Sequence, residues 1–261
     1  MKQDLYIFID YWQLNQYMYR VKQFLWAIIS FFKKIDDNIL EKYLDSKEIE
    51  LFMKLKKSEQ HHSIRVCKDS LKMCEINNLN KYKMAKISLL HDIGKPLVTT
   101  PEGKAPGHNE SGVQVFNQYF NHFFENKKIK KYIKTMIYYH MHLMNMVRNQ
   151  SKDYSYYKLL KGIEGIFPLE DLVCMSKCDK LGRLANRPET ISTLDAYVEE
   201  KVSRLGKHAL KPIIDGKILI DLGFQPNDEF KELLDWAYDL QMRDHDFESI
   251  IKLLKGRQNG R

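Results

Sequence analysis

The 261-residue sequence has no hydrophobic run long enough to cross a membrane. Its longest apolar run, residues 24–32, covers nine positions, whereas a spanning helix needs about 20 residues. The apolar start at Leu5 to Ile9 lacks the basic flank and the small-residue cleavage site of a signal peptide. We therefore expect a soluble, cytoplasmic protein.

Cysteine is also scarce, and no C-x-x-C pair occurs. The first two cysteines are seven positions apart and the other two are four apart. This spacing does not indicate a disulfide framework, and it fits a reducing compartment. The four residues are Cys67, Cys74, Cys174 and Cys178.

Basic residues, by contrast, are in excess, with 42 Lys and Arg against 34 Asp and Glu and a formal charge of +8. Such a charge favours an anionic partner, which could be nucleic acid, a nucleotide or a membrane surface. An equally weighted interpretation is that the lysines only keep the protein in solution. The oligomeric state is left open by the sequence.

The hydrophobic pattern is helical almost without interruption from Asp36, and strand-like alternation never extends beyond a few residues. We predict an all-α protein with three parts: an N-terminal helical extension at 1–45, a main helical bundle at 46–205 and a C-terminal helical tail at 206–261. The extension is rich in aromatics and flanked by basic residues. It could pack on the main domain, contact a partner or lie on a membrane surface.

A short stretch ending a predicted helix at 81–92 holds the adjacent pair His91 and Asp92. An imidazole nitrogen and a carboxylate oxygen side by side can bind one divalent metal. Gly94 would end the helix and let the backbone approach a ligand. Lys95 could offer a point charge to a phosphate.

Further histidines and acids fall on other predicted helices, so a bundle could aim them into one site. An adjacent His-Asp pair with one more His and one more Asp gives four ligands and leaves room for water, which is typical of a hydrolytic site. His108 and His140, with Asp92 bridging, could hold a second metal. The candidates are His61 or His62 in a helix ending at 77, His108 after a Pro-rich loop, His140 or His142 in a helix at 127–147, and Asp179 in a helix ending at 184.

These residues resemble the motif set of the HD-domain metal-dependent phosphohydrolases over residues 58–184. Three segments, 90–96, 106–112 and 178–183, are similar to the HD half of the bacterial tRNA nucleotidyltransferase and poly(A) polymerase family, as is the tail at 214–230. No Gly-Ser followed by an Asp-x-Asp motif precedes this region. The resemblance therefore implies an HD helical bundle and phosphate hydrolysis, without nucleotide addition.

The resemblance also implies roles for individual residues. It favours His62 over His61, because His62 directly precedes Ser63-x-x-Val66, and it favours His140 over His142. Arg183 either contacts substrate or pairs with Asp179 four positions earlier. The predicted metal ligands are His62, His91, Asp92, His108, His140 and Asp179; Asp92 and Lys95 are the predicted catalytic residues, and Lys95, His108 and Arg183 the predicted substrate-binding residues.

We therefore expect a metal-dependent phosphohydrolase that acts on a nucleotide, a cyclic nucleotide or an RNA 3′ end. The alternatives are a dinucleoside polyphosphate or nucleoside phosphate hydrolase, and a non-catalytic regulator that binds RNA or a membrane surface. One or two divalent metals are expected, and mixed His and Asp ligands suit Mn, Fe, Co, Ni, Mg or Zn alike.

Overall fold

A computed structural model of the chain describes residue 21, residue 25 and the ranges 28–120, 126–183 and 188–259. These residues form helices joined by turns and loops, and none of them lies in a strand. The all-α prediction is therefore confirmed. Most of the predicted aromatic-rich N-terminal helix lies outside the described residues. Of its described residues, 28–32 form a continuous helical segment.

The chain divides into two compact units. The first consists of the described residues up to Asn145 together with Ile166–Ala196, and the second of Met146–Gly165 together with the described residues from Tyr197 onward. The predicted boundaries at residues 45 and 205 are not tested by this division and stay a prediction. Among the described residues, no helix combines the length and the apolar character that crossing a membrane requires.

Helices α1 to α7 and α10 belong to the first unit, and α8 and α11 have residues in both. Their bounds are α1 (Asp37–Tyr43), α2 (Ser46–Met53), α3 (Lys57–Asn77), α4 (Lys81–Leu90), α5 (Lys95–Val98), α6 (His108–Phe120), α7 (Lys127–Tyr139), α8 (His142–Arg148), α10 (Leu169–Leu181) and α11 (Pro188–Leu205).

Helix α4 is the element around which the first unit packs. It contacts α1, α2, α3, α7 and α10. Seven consecutive residues, Met84–Leu90, are buried, and a helix buried on every side belongs in a core. The one charge among them, Lys86, is paired with the buried carboxylate of Glu48 on α2 at 2.6 Å, which is how a buried charge is tolerated.

The second unit contains α9 (Asp153–Ile163), α12 (Gly216–Asp221), α13 (Glu229–Met242) and α14 (Phe247–Asn259). Helices α12, α13 and α14, with Ile214 just before them, share an apolar cluster of Ile214, Leu219, Leu233, Ala237, Ile250 and Leu254. The C-terminal residues thus form a helical core, in agreement with the helical tail expected from their sequence.

Two details differ from the sequence-based expectations. The single helix predicted at 127–147 is two helices, α7 and α8, separated at His140 and Met141. The loop expected from Gly94 to Gly107 contains the short helix α5 with Pro96 in its first turn. Both differences lie next to residues that the sequence predicts as metal ligands, Asp92 and His140.

Candidate metal centre

The end of α4 carries the adjacent side chains His91 and Asp92 into the interior. His91 is the C-cap residue of this helix and keeps a helical backbone conformation. Because α4 is buried on every side, its end delivers both polar side chains to the interior, and both are almost completely buried. Two adjacent polar residues in such a place need partners from other elements.

Helices α3 and α10 supply the first partners. The Nε2 atom of His62 lies 3.0 Å from Oδ1 of Asp179 and 3.8 Å from Oδ2 of Asp92. The Nε2 atom of His91 lies 3.6 Å from the same Asp179 oxygen. The possible ligand atoms of His62, His91 and Asp92 are all within 4.8 Å of one another. Together with Asp179, which contacts both histidines, these three side chains form the first ligand group.

A second ligand group lies on the other side of Asp92. The possible ligand atoms of Asp92, His108 and His140 are also within 4.8 Å of one another. His108 is the first residue of α6, and its Nε2 atom lies 3.2 Å from Oδ1 of Asp92. The first group faces the other oxygen, Oδ2. Asp92 therefore belongs to both groups and turns one oxygen to each.

The four histidines share one hydrogen-bonding arrangement. Each Nδ1 atom contacts a backbone carbonyl, and a carbonyl can only accept, so in the neutral imidazole the proton is on Nδ1 and the Nε2 lone pair faces the centre. This is the tautomer that metal-binding histidines use. The contacts are His62 to Gly182 O at 3.2 Å, His91 to Ser88 O at 2.8 Å, His108 to Ala105 O at 2.8 Å and His140 to Ile137 O at 2.7 Å.

The carboxylates give the centre a strong attraction for positive charge. Although burial works to lower it, Asp92 and Asp179 raise the pKa of His91 to about 10. Burial also works against the charged forms of the two carboxyls, yet neighbouring cationic side chains hold the pKa values of Asp92 and Asp179 well below the usual range. Burial lowers the pKa of His140 to about 3, so this imidazole is neutral.

The residues present fit a divalent metal. The Nε2 atom of His91 is buried and has no hydrogen-bond partner within the described ranges. In the neutral form of the histidines, the imidazole nitrogens and carboxylate oxygens that face one another at 3.0 to 3.8 Å are all acceptors. A metal cation that takes the place of the His91 proton satisfies all of them at once. This mixed nitrogen and oxygen donor set suits Zn and the first-row transition metals.

Two cationic side chains lie on the carboxylates of the centre. The Nζ atom of Lys95 is 2.6 Å from Oδ2 of Asp92 and 2.5 Å from Oε2 of Glu59 on α3. Arg183 donates from Nη2 to Oδ2 of Asp179 at 3.1 Å, so the second of its two predicted alternatives is observed. The phosphate role predicted for Lys95 is not tested, and its observed partners are both acids.

The two competing histidines lie elsewhere. The Nε2 atom of His61 is 3.3 Å from the carbonyl oxygen of Lys33. His142 begins α8 and packs beside the rings of Tyr138 and Tyr139, at centroid distances of 5.1 and 4.7 Å. The structure thus brings together the six residues that the sequence predicted as ligands, while their function as ligands stays a prediction.

Glycine allows the segment after Asp92 to contact α6 directly. A Cβ atom on Gly94 would lie 2.1 Å from the carbonyl oxygen of His108 and 2.3 Å from the backbone nitrogen of Gly112. The backbone of Gly94 is helical, with φ of −79°. We expected Gly94 to permit close approach of a ligand; the close neighbour observed is the backbone that carries His108.

The fold and the centre define a class: an all-α protein with a buried His and Asp cluster suited to divalent metal. Comparison with known families then shows that residues 60–189 match the HD domain family. HD domains bind divalent metals, and their family consists generally of metal-dependent phosphohydrolases. Neither the curated proteins nor the solved structures contain a match to this chain. The predicted relation to tRNA nucleotidyltransferases is therefore untested.

Sequence reasoning did not single out Glu59, although it contacts Lys95. Its signal is weak, since it lies three positions before His62 in a sequence with many acidic residues. The role of Gly112 was also missed, because nothing in the spacing shows that its backbone would touch Gly94.

Proposed function

We propose that the chain is a metal-dependent phosphohydrolase that cleaves a phosphomonoester or phosphodiester of a nucleotide, a cyclic nucleotide or an RNA 3′ end. The observation that carries this proposal is the position of Asp92, whose two oxygens face two separate ligand groups. Such an arrangement suits a centre of one or two ions in which ligand positions remain open for water and substrate.

Each ligand group has its own set of residues. His62, His91, Asp92 and Asp179 would hold one ion, and Asp92, His108 and His140 would hold a second. A divalent metal bound there supplies a water of lowered pKa and neutralises charge on the phosphoryl oxygens.

The remaining chemistry belongs to side chains of this chain. Asp92, whose carboxylate stays charged, orients the attacking water by accepting a hydrogen bond from it. Lys95 is a neighbouring cation that stabilises negative charge on the phosphoryl group as the water attacks. Burial of His91, Asp92 and His140 keeps bulk water away, which strengthens each of these charge interactions.

A substrate screen tests the proposal. The purified protein is loaded in turn with Mn, Fe, Co, Ni, Mg or Zn. It is then incubated with nucleoside monophosphates, cyclic nucleotides, dinucleoside polyphosphates and oligonucleotides that end in a 3′-phosphate. We expect metal-dependent release of phosphate or opening of a cyclic ester. Failure of the metal-loaded protein to hydrolyse any of these would refute the proposed function.

The matched variants are Asp92→Asn in the centre and Asp221→Asn, an exposed residue at the end of α12. We expect Asp92→Asn to lower turnover by at least about 100-fold, since even residues behind the ligands contribute about 10- to 100-fold. Asp221→Asn should turn over like the wild type, and both should keep the helical circular dichroism spectrum. Wild-type turnover by Asp92→Asn would contradict the role given to Asp92.

A further inference from the structure

The exposed side of α7 has a single charge sign. This helix contains five lysines and no acidic residue, a formal charge of +5 within a chain whose total is +8. Such a concentration of charge is unlike the mixed-sign surface that ordinarily keeps a helix in solution. The lysines, which we call the α7 lysine face, are Lys127, Lys128, Lys130, Lys131 and Lys134.

All five lysines lie on the side of α7 that faces away from the core. At 3.6 residues per turn they cluster around one direction. The buried side chains, Tyr132, Ile133, Met136 and Ile137, cluster around the opposite one. Lys127, Lys128 and Lys131 are exposed, and Lys130 and Lys134 are half-buried. The charge is therefore displayed outward along the helix.

Within the described ranges, the ion pairs of the structure involve none of Lys127, Lys128, Lys131 and Lys134. Lysines three and four positions apart on a helix are neighbours and repel one another. A bound polyanion would remove this repulsion. The α7 lysine face thus has the charge, and the local electrostatic need, of a surface that binds phosphates.

We propose that the α7 lysine face binds the sugar-phosphate backbone of a single-stranded nucleic acid. Its lysines lie about 5–6 Å from their neighbours and extend over about 10 Å of helix, a track for several successive phosphates. A lipid surface is less suited, because helices that lie on membranes insert an apolar face. On α7 four apolar side chains are buried in the core and none of the others is fully exposed; the exposed large hydrophobic residues of the described ranges lie on other segments.

The position of the α7 lysine face also suggests a substrate for the proposed hydrolysis. This step, unlike the binding itself, rests on the proposed function. Helix α7 ends at Tyr139, and His140 of the second ligand group is its C-cap residue. Along the helix axis Lys127 and His140 are about 20 Å apart, and because His140 is on the buried side the strand would pass around the C-terminal end of α7 to reach it. The α7 lysine face would then hold a nucleic-acid substrate whose end is hydrolysed at the centre.

Binding is tested without hydrolysis, so the result does not depend on the proposed activity. The probe is a fluorescent 20-nucleotide single-stranded RNA, measured by anisotropy with a chelator present at several salt concentrations. The test variant is Lys127→Gln/Lys131→Gln/Lys134→Gln. The control is Lys217→Gln/Lys252→Gln/Lys255→Gln, which removes the same net charge from exposed positions of the second unit.

We expect the test variant to bind at least about tenfold more weakly at 100 mM salt. The slope of log affinity against log salt should fall by about two, since each lost phosphate contact removes about 0.7. The control should bind like the wild type. Equal losses in both variants, or no RNA binding by the wild type, would overturn the proposal. Tighter binding to phosphatidylglycerol vesicles than to RNA would also overturn it, in favour of a membrane surface.

Discussion

At the scale of single residues, the charge on Lys95 is balanced by Glu59. Lys95 lies between the carboxylates of Asp92 and Glu59, at 2.6 and 2.5 Å. A metal bound to Asp92 would meet this ammonium group on the same carboxylate, and like charges at such a distance repel strongly in a buried site. Glu59 reduces that repulsion because it offsets the charge of Lys95 and gives its ammonium group a second place to bind.

We therefore predict that Glu59→Gln weakens metal binding by about tenfold, within the range known for residues behind metal ligands. In Glu59→Gln, Glu59 no longer offsets the charge of Lys95. In Glu59→Gln/Lys95→Met that charge is absent, so the double variant should regain most of the metal affinity. Titration calorimetry with Mn or Zn measures each affinity.

Glu75→Gln is the matched control for this cycle. Glu75 belongs to the same helix and also pairs with a lysine, Lys81, at 2.8 Å, but this pair is exposed and distant in sequence from the ligands. Its removal should leave metal affinity unchanged. Equal affinities for Glu59→Gln and the wild type would show that Lys95 needs no compensating carboxylate.

The contrast between Asp92 and Glu59 shows what the sequence reveals at this scale. His91 and Asp92 were predictable because two ligand types stand next to each other at the end of an apolar helix. Glu59 was not, because its partner Lys95 is 36 positions away and nothing local distinguishes this glutamate from the others. Long-range contacts between charges leave no periodic pattern in a sequence.

At the scale of elements, the contact between the segment after α4 and the start of α6 depends on glycine. The backbone of Gly94 touches the backbones of His108 and Gly112, so a side chain there would push apart Asp92 and His108. Backbone atoms cannot move aside as the end of a flexible side chain can. Overpacking of a rigid contact costs about 1–3 kcal/mol and at times more.

We predict that Gly94→Ala lowers the free energy of unfolding by about 3 kcal/mol and moves His108 away from Asp92. Gly256→Ala is the control: it lies within α14, and a Cβ there would meet no atom within 4 Å. Because alanine has a higher helix propensity than glycine, this variant should be more stable by up to about 1 kcal/mol. Urea unfolding followed by circular dichroism compares them, and a fully stable Gly94→Ala would disprove the close contact.

The end of α7 shows why an element boundary escaped prediction. Apolar residues continue through 139–147 with neither Pro nor Gly, so a local pattern favours one long helix. In the folded chain, Ser176 of α10 donates to the carbonyl oxygen of His140 at 3.1 Å, which satisfies a backbone group released by the helix end. Tertiary contact thus decides the boundary, and it places His142 on a different helix from the one that His140 caps.

At the scale of the whole molecule, the centre gathers side chains that are far apart in the chain. Its candidate ligands extend from His62 to Asp179, on α3, α10 and the ends of α4, α6 and α7, and all of them belong to the first unit. The fold class was predictable because helical periodicity is local. The packing of these helices is not, since it depends on the burial of α4 and on close backbone contacts.

A ligand that binds the folded chain but not the unfolded chain stabilises the fold against unfolding. A metal bound at this centre should therefore stabilise the packing of these helices. At a free metal concentration 100 times the dissociation constant, the gain is about 2.7 kcal/mol, and each kcal/mol raises the Tm by about 2–4 °C in a domain of this size. We therefore predict that chelation lowers the Tm of the wild type by about 5–10 °C and that added Mn or Zn restores it.

The Asp92→Asn variant separates this effect from general actions of chelator or salt. Asp92 faces both ligand groups, so its loss removes a ligand from each. Calorimetric scans of this variant should show a Tm that responds little to either metal or chelator, while Asp221→Asn should respond like the wild type. If chelation left the wild-type Tm unchanged after complete removal of metal, or if Asp92→Asn shifted by the same amount, stabilisation by metal at this centre would be disproved.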